Sequence, residues 1–334
     1  MRTRAAFSAF FILAFITLVA VSDSQAQVPR TYVSETGNDV YPCDRLQHPC
    51  RSIQAAVDKV SDKGEVLVVS SGIYEPFNVK KSLLIAAAPG VDAAVFVRGQ
   101  ENCPWSQECV GIFVKGSPSN PVNVVLRGLR LIYTGPSSPG WRVRGVLFSA
   151  EANGSCRIEN CFLRNFPTSA IFALGKQGSV SIDNTTLVNN GTAIEIGSNI
   201  EGGLVIAAIE QCRIEGNVDG LWVRERSQVT MRNTIIANNK FGIDFGAIDN
   251  TSAELTVENC MITGNFAGIW GVMPPGQFGV NSLATARVSN STITNNQIGL
   301  GAALFTEILS RIPAGNTVEG NIYNGSFTGM FQAK

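Results

Sequence analysis

Along the second half of the chain, apolar side chains recur at alternate positions in short runs and not at the spacing of a helix face. Residues 255–271, LTVENCMITGNFAGIWG, hold three such runs in succession. The same pattern returns in CRIENCFLRN (156–165), SIDNTTLVNNGTAIEI (181–196), IEQCRIEGNVDGLWV (209–223), VTMRNTIIANNKFGIDF (229–245) and RVSNSTITNNQIGLGA (287–302). Aligned on a central amide residue, the copies share Asn160, Asn184, Gln211, Asn233, Asn259 and Asn290, spaced 22 to 31 residues apart. Six positions later stand Phe166, Asn190, Asn217, Asn239, Asn265 and Asn296. Three further on comes a small residue, Ala193, Gly220, Gly242, Gly268 or Gly299, followed by Ile or Leu; the first copy slips by one to Ala170 and Ile171.

Each run is too short to be stable alone, so it must pair with its counterparts in the neighbouring copies. Thr, Val, Ile, Asn and Gly dominate, which excludes helices. The inward phase breaks at the central amide, since Ile158 and Leu163 are five apart, and Asn there suits a sharp corner because it tolerates left-handed backbone. Stacked coil on coil, the corner asparagines are expected to form an amide ladder. Three parallel strands per coil, two Asn-marked corners and one variable loop describe an all-β fold, a right-handed parallel β-helix solenoid. Leucine-rich repeats lack this spacing, and a β-sandwich would not give registered copies. From Glu65 to Phe331 there is room for roughly ten coils, a rod about 50 Å long at about 4.8 Å per coil.

Two flanking segments gain meaning from that frame. SIQAAVDKV (52–60) places Ile53, Ala56, Val57 and Val60 at helical spacing, a short N-terminal capping helix that covers an otherwise aggregation-prone edge. GNTVEGNIYNGSFTG (315–329) reads as a degenerate last coil. At the start, Arg2 and Arg4 precede the apolar run Ala5–Val21, and Ser24-Gln25-Ala26 resembles a cleavage site. The expected organisation is a signal peptide (1–26), a lead-in (27–64) and the β-helix domain (65–334), in a chain that is secreted or periplasmic. With 16% charged residues and no net charge, nothing argues for nucleic acid or for a membrane after signal cleavage.

Export gives the eight cysteines an oxidising compartment. The short loops Cys43–Cys50 and Cys103–Cys109 suit local disulfides. Cys161, Cys212 and Cys260 follow the anchors and alternate with Thr185, Thr234 and Ser291 as an inward column of small residues. Successive cysteines of this column lie about 9.6 Å apart, beyond disulfide reach, so buried free thiols are expected. No histidine is near, which excludes a metal cluster there.

TYVSETGNDVYPCDRLQHPCRSIQAAVDKV, GEVLVVSSGIYEPFNVKKSLLIAAAPG and the Asn-anchored repeats together resemble the right-handed β-helix proteins of the pectate-lyase superfold. The chain is most similar to the exported bacterial β-helix repeat proteins, whose function is generally undefined. That superfold hosts lyases, hydrolases, adhesins and binding modules, so the resemblance speaks to fold more than to activity. In its enzymes the short Asn corner separates the second and third strands of a coil. On that mapping the third run here is the first strand, which lines the polysaccharide groove, and loops such as GSNIEGGLVIAA and GVMPPGQFGVNSLAT form the groove wall.

The outward column on this strand reads Phe172, Glu195, Trp222, Asp244, Trp270 and Gly301. Trp222 and Trp270 suit stacking on pyranose rings, with Glu195, Asp244 and Arg224 bonding hydroxyls; loops covering both rings would turn them into core. As catalytic residues Glu195, Asp244 and Arg224 are weak candidates. The two acids lie two coils apart, about 9.6 Å between backbones, near the roughly 6.5–9.5 Å carboxyl spacing of inverting glycosidases. That spacing does not let them share a Ca²⁺ ion closely. His48, the only histidine, sits in the lead-in, and no Asp-Asp pair occurs. A second outward column, Glu159, Asp183, Glu210, Arg232, Glu258 and Ser289, is acidic without aromatics and reads as a solvated face rather than a Ca²⁺ site. No metal or cofactor is expected. The favoured reading is a monomeric, exported protein that interacts with a polysaccharide or cell-surface glycan, leaning away from an enzyme. The alternatives are a polysaccharide lyase or inverting glycoside hydrolase with divergent acids, and a non-catalytic envelope scaffold.

Overall fold

A computed structural model describes residues 28–99, 108–136, 142–150, 153–248, 250–272, 282–312 and 315–332. Among the described residues the strands form three parallel sheets of twelve, ten and nine members. One coil shows the plan: Gly154–Glu159 joins the first sheet, Phe162–Arg164 the second and Ser169–Gly175 the third. The same residue positions stack from coil to coil. Ile158, Ile182, Ile209, Met231, Val257 and Val288 are successive register partners, all buried in one continuous core. The fold is therefore the expected all-β solenoid of three-strand coils.

Both corners use left-handed backbone, which Asn and Gly adopt at least cost. The first is the anchor column, with φ 53° at Asn160, 44° at Asn184, 53° at Gln211 and 50° at Asn233; Gly128 takes this place one coil earlier. The second runs through Asn165, Asn189, Gly216, Asn238, Gly264 and Asn295.

The amide ladder forms, but not on the anchors. The anchors are mostly exposed, and they give one mutual rung, Asn184 Nδ2 donating to Asn160 Oδ1 at 2.6 Å. The continuous ladder is the buried column six residues on. Asn190, Asn217, Asn239, Asn265 and Asn296 each donate Nδ2–H to the next amide oxygen, at 2.9 to 3.1 Å, and the series continues to Asn321. Each also donates its backbone N–H to that same oxygen and its second Nδ2–H to a carbonyl behind it, such as Ile214 for Asn239. The anchors, by contrast, can bond solvent, so only the buried column has to satisfy its amides internally.

The small inward column is present as read. Cys161, Thr185, Cys212, Thr234, Cys260 and Ser291 are all buried, and Cys156, Cys161, Cys212 and Cys260 are free thiols. Each Thr or Ser hydroxyl accepts the N–H of the cysteine one coil before it, as Thr234 does for Cys212 at 3.3 Å. Cys43 and Cys50 are bonded to each other. Cys109 is also in a disulfide, and Cys103, its expected partner, lies outside the described residues.

The helix spans Ile53–Lys59, with Ser52 Oγ accepting the Ala55 N–H as its N-cap. It packs on the first strands, and Ile53, Ala56 and Val57 enter the core. The lead-in also supplies a strand, Val28–Val33, paired parallel with Val60–Val68 at the end of the first sheet. No helix among the described residues is long and apolar enough to cross a membrane. The proposed signal segment lies outside them.

Candidate functional site

The third sheet carries the outward column in the expected register. Leu147 pairs with Phe172, Phe172 with Glu195, Glu195 with Trp222, Trp222 with Asp244, Asp244 with Trp270 and Trp270 with Gly301. Trp222, Asp244 and Trp270 are half-buried, whereas Glu195 and Phe172 are only 6% and 5% exposed. The two indoles are thus neither core nor fully open. Of the two expected wall loops, the first supplies Asn199; most of the second, residues 273–281, lies outside the described residues.

A cleft of about 550 Å³ opens over the N-terminal half of this face. Phe113, Phe172 and Trp222 give it apolar surface, and Arg142, Arg144, Arg224, Glu108 and Glu195 give it charge. Arg144 and Arg224 are each held between a ring and a carboxylate. The Arg144 guanidinium lies 4.1 Å from the Phe172 ring centre and pairs with Glu108. Arg224 lies 5.1 Å from the Trp222 ring centre and pairs with Glu195 at 2.9 Å. Stacking on an aromatic face fixes a guanidinium and leaves its edge for hydrogen bonding. Arg144 is buried, its Nε meets no partner among the described residues, and burial lowers its pKa.

Glu195 is likewise fixed: one oxygen accepts from Arg224 and the other from Ser169 Oγ at 2.7 Å. Arg224 also reaches Glu225 at 3.3 Å. Of the expected hydroxyl-binding groups, Glu195 and Arg224 therefore meet one another, while Asp244 lies two coils from Glu195 with Trp222 between them.

Sequence reading missed Asp219. It accepts from Thr192 Oγ1 at 3.1 Å and faces outward with Trp222, because both Gly220 and Leu221 turn inward and the alternation slips there. Strict alternation from Leu221 and Val223 would bury Asp219, so the period itself concealed it. Burial raises the pKa of Asp219. Burial, reinforced by the charge of Asp219 and opposed by Lys240, pushes Asp244 up to about 7. Among the described residues no three His, Cys, Asp or Glu side chains converge to hold a metal ion. On the first sheet the second outward column is crossed by ion pairs, Arg127 with Glu159 at 2.7 Å and Arg232 with Glu258 at 3.0 Å.

Residues 144–333 match the family model described as the right-handed β-helix region, more than half of the chain. No curated protein matches the sequence. Among solved structures, pectate lyase Pel9A superposes with a TM-score of 0.61 at 15% identity, covering 93% of this chain and 80% of that one. An alginate lyase from Paenibacillus sp. str. FPU-7 gives 0.55 at 12% identity, covering 91% and 98%. A GH136 lacto-N-biosidase from Eubacterium ramulus gives 0.51 at 11% identity, covering 91% and 67%. At such identities these likenesses speak to the fold alone.

Proposed function

The chain belongs to the right-handed β-helix family, and from that premise we propose that it is an exported glycan-binding protein whose ligand lies along the third sheet. The observation that carries this reading is the pairing of aromatic faces with fixed polar groups on one surface. Phe172, Trp222 and Trp270 recur every second rung of one column, and the Glu195–Arg224 pair sits at the floor of the adjoining cleft. Sugar rings present apolar faces and a rim of hydroxyls, which an aromatic surface with pre-oriented donors and acceptors matches. Export to a secreted or periplasmic location is supported by the Cys43–Cys50 disulfide and the apolar N-terminal segment. The protein acts as a monomer and needs no cofactor in this reading.

One observation favours a second reading, an inverting glycoside hydrolase. Asp244, pushed up to about 7, has the character of a general acid, and Glu195, paired with Arg224, would be the second carboxyl group of such a site. It is the weaker reading, because Glu195 is only 6% exposed with both oxygens already engaged, and Trp222 stands between the two acids.

The test is a glycan array followed by tryptophan-fluorescence titration with oligogalacturonate and xylo-oligosaccharide. Binding that disappears in the Trp222→Ala plus Trp270→Ala double variant supports the platform. Binding unchanged in that variant, or an array without signal, overturns it. Release of reducing ends that is lost in Asp244→Asn would favour the hydrolase instead.

A further inference from the structure

Asp244 occupies the column between Trp222 and Trp270, its two register partners. Its Oδ1 is shut off from solvent and, among the described residues, meets no hydrogen-bond donor. An ionised carboxylate there would hold charge on an oxygen with neither donor nor water, which is a costly state for a buried atom; a neutral carboxyl leaves far less unsatisfied. The surrounding charges point the same way. From the preceding strand, Asp219 presents a like charge. On Asp244's own segment Lys240 presents the opposite charge, but its ammonium stands 5.2 Å over the Phe241 ring and makes no ion pair with Asp244 among the described residues. The following strand, Ala267–Gly271, carries no charged side chain.

We propose that Asp244 is a positioning residue for the aromatic face: as a neutral acid it lets the Trp222 and Trp270 indoles hold their places, and loss of its proton disrupts that face and weakens glycan binding. When ionised, Oδ1 requires a donor. Water must then enter between the two indoles, or the side chain must rotate out of the column, and either change displaces the rings. Burial and Asp219 place this event close to neutrality. Because ligand and proton then favour the same state, each strengthens the binding of the other. The claim about binding rests on the glycan reading above; the claim about the indoles does not.

The experiment follows intrinsic tryptophan emission of the ligand-free mature protein from acid to alkaline pH. A transition with its midpoint near 7 is expected. It should vanish in Asp244→Asn, which keeps the shape without the charge, and move to lower pH in Asp219→Asn, which removes the like charge. Oligogalacturonate and xylo-oligosaccharide are then titrated about two pH units either side of the midpoint. Whichever binds should do so about tenfold or more weakly on the alkaline side, and equally on both sides in Asp244→Asn. A flat emission profile, or a transition that survives in Asp244→Asn, overturns the positioning role. Equal binding at both pH values in the native protein overturns the coupling. An Asp244-dependent transition with no signal on the glycan array sinks the glycan reading and leaves the positioning role standing.

Discussion

The benzo edge of the Trp270 indole rests on Gly301: a methyl group built at position 301 would lie 2.1 Å from Cζ3 and 2.2 Å from Cε3. Gly301 is the register partner of Trp270, so the bare rung beyond the ring is what seats it. Gly301→Ala should therefore lift the ring toward solvent. The expected result is red-shifted, more readily quenched emission with a stability change of under about 1 kcal/mol, as for a surface site. Unchanged emission would show that the ring is not seated there.

The two asparagine columns should respond very differently to mutation. Asn239→Ala removes the oxygen that accepts both the N–H and an Nδ2–H of Asn217, at 2.8 and 2.9 Å. Two buried donors lose their partner, each costing about 1–3 kcal/mol, so a loss of about 3–5 kcal/mol is expected in urea unfolding. Asn233→Gly, at an exposed corner with φ 50°, should shift the midpoint little. Similar midpoints for the two variants would refute the division of labour between the columns.

The four free thiols should be inert while the chain is folded. Burial pushes Cys156, Cys161 and Cys212 up to about 12 and Cys260 up to about 11, so almost no thiolate exists at pH 8. A maleimide added under native conditions should label none of them within minutes, and all four in denaturant. Cys212→Thr should fold normally, since Thr234 already fills the equivalent place one coil on, donating to the Arg232 carbonyl at 2.8 Å. Rapid native labelling would contradict the closed column.

Stability should fall across the acid-to-neutral range through Asp244. Its folded-state pKa is raised from 3.8 to about 7, so the folded form binds the extra proton between those values. The contribution is fully present below pH 3.8 and lost as pH rises through about 7. Asp244→Asn should match the native protein at pH 4 and exceed it at pH 8, by at most about 4 kcal/mol at 1.36 kcal/mol per pKa unit. Urea midpoints at the two pH values decide; a difference of equal size at both would remove the titration as its cause.

Periodicity made most of this structure legible. The strands, the anchor corners, the thiol column and the partners of Trp222 and Trp270 all follow from a repeat whose copies must pair in register. What escaped lies where the period breaks. Asp219 was hidden by the slip at Gly220 and Leu221. Arg144 and Glu108 belong to two coils that precede the aligned copies, where the left-handed residues between the first two strands are Gly128 and Gly90 rather than asparagine, so no column could be drawn through them. The ladder was expected on the anchors because asparagine suits a left-handed corner and such corners stack coil on coil. Burial, which falls on the second column, decides which amides must pair.

The outward column also turns chain length into surface chemistry. Each coil contributes one rung, and the ladder presents the same donor and acceptor at every joint from Asn190 to Asn296. A deletion of one whole coil, such as that from Asn233 to Glu258, would leave equivalent joints on either side while bringing Trp222 and Trp270 into adjacent rungs. A family built this way can respace its aromatic rings by gaining or losing coils, with no change to the residues that make them.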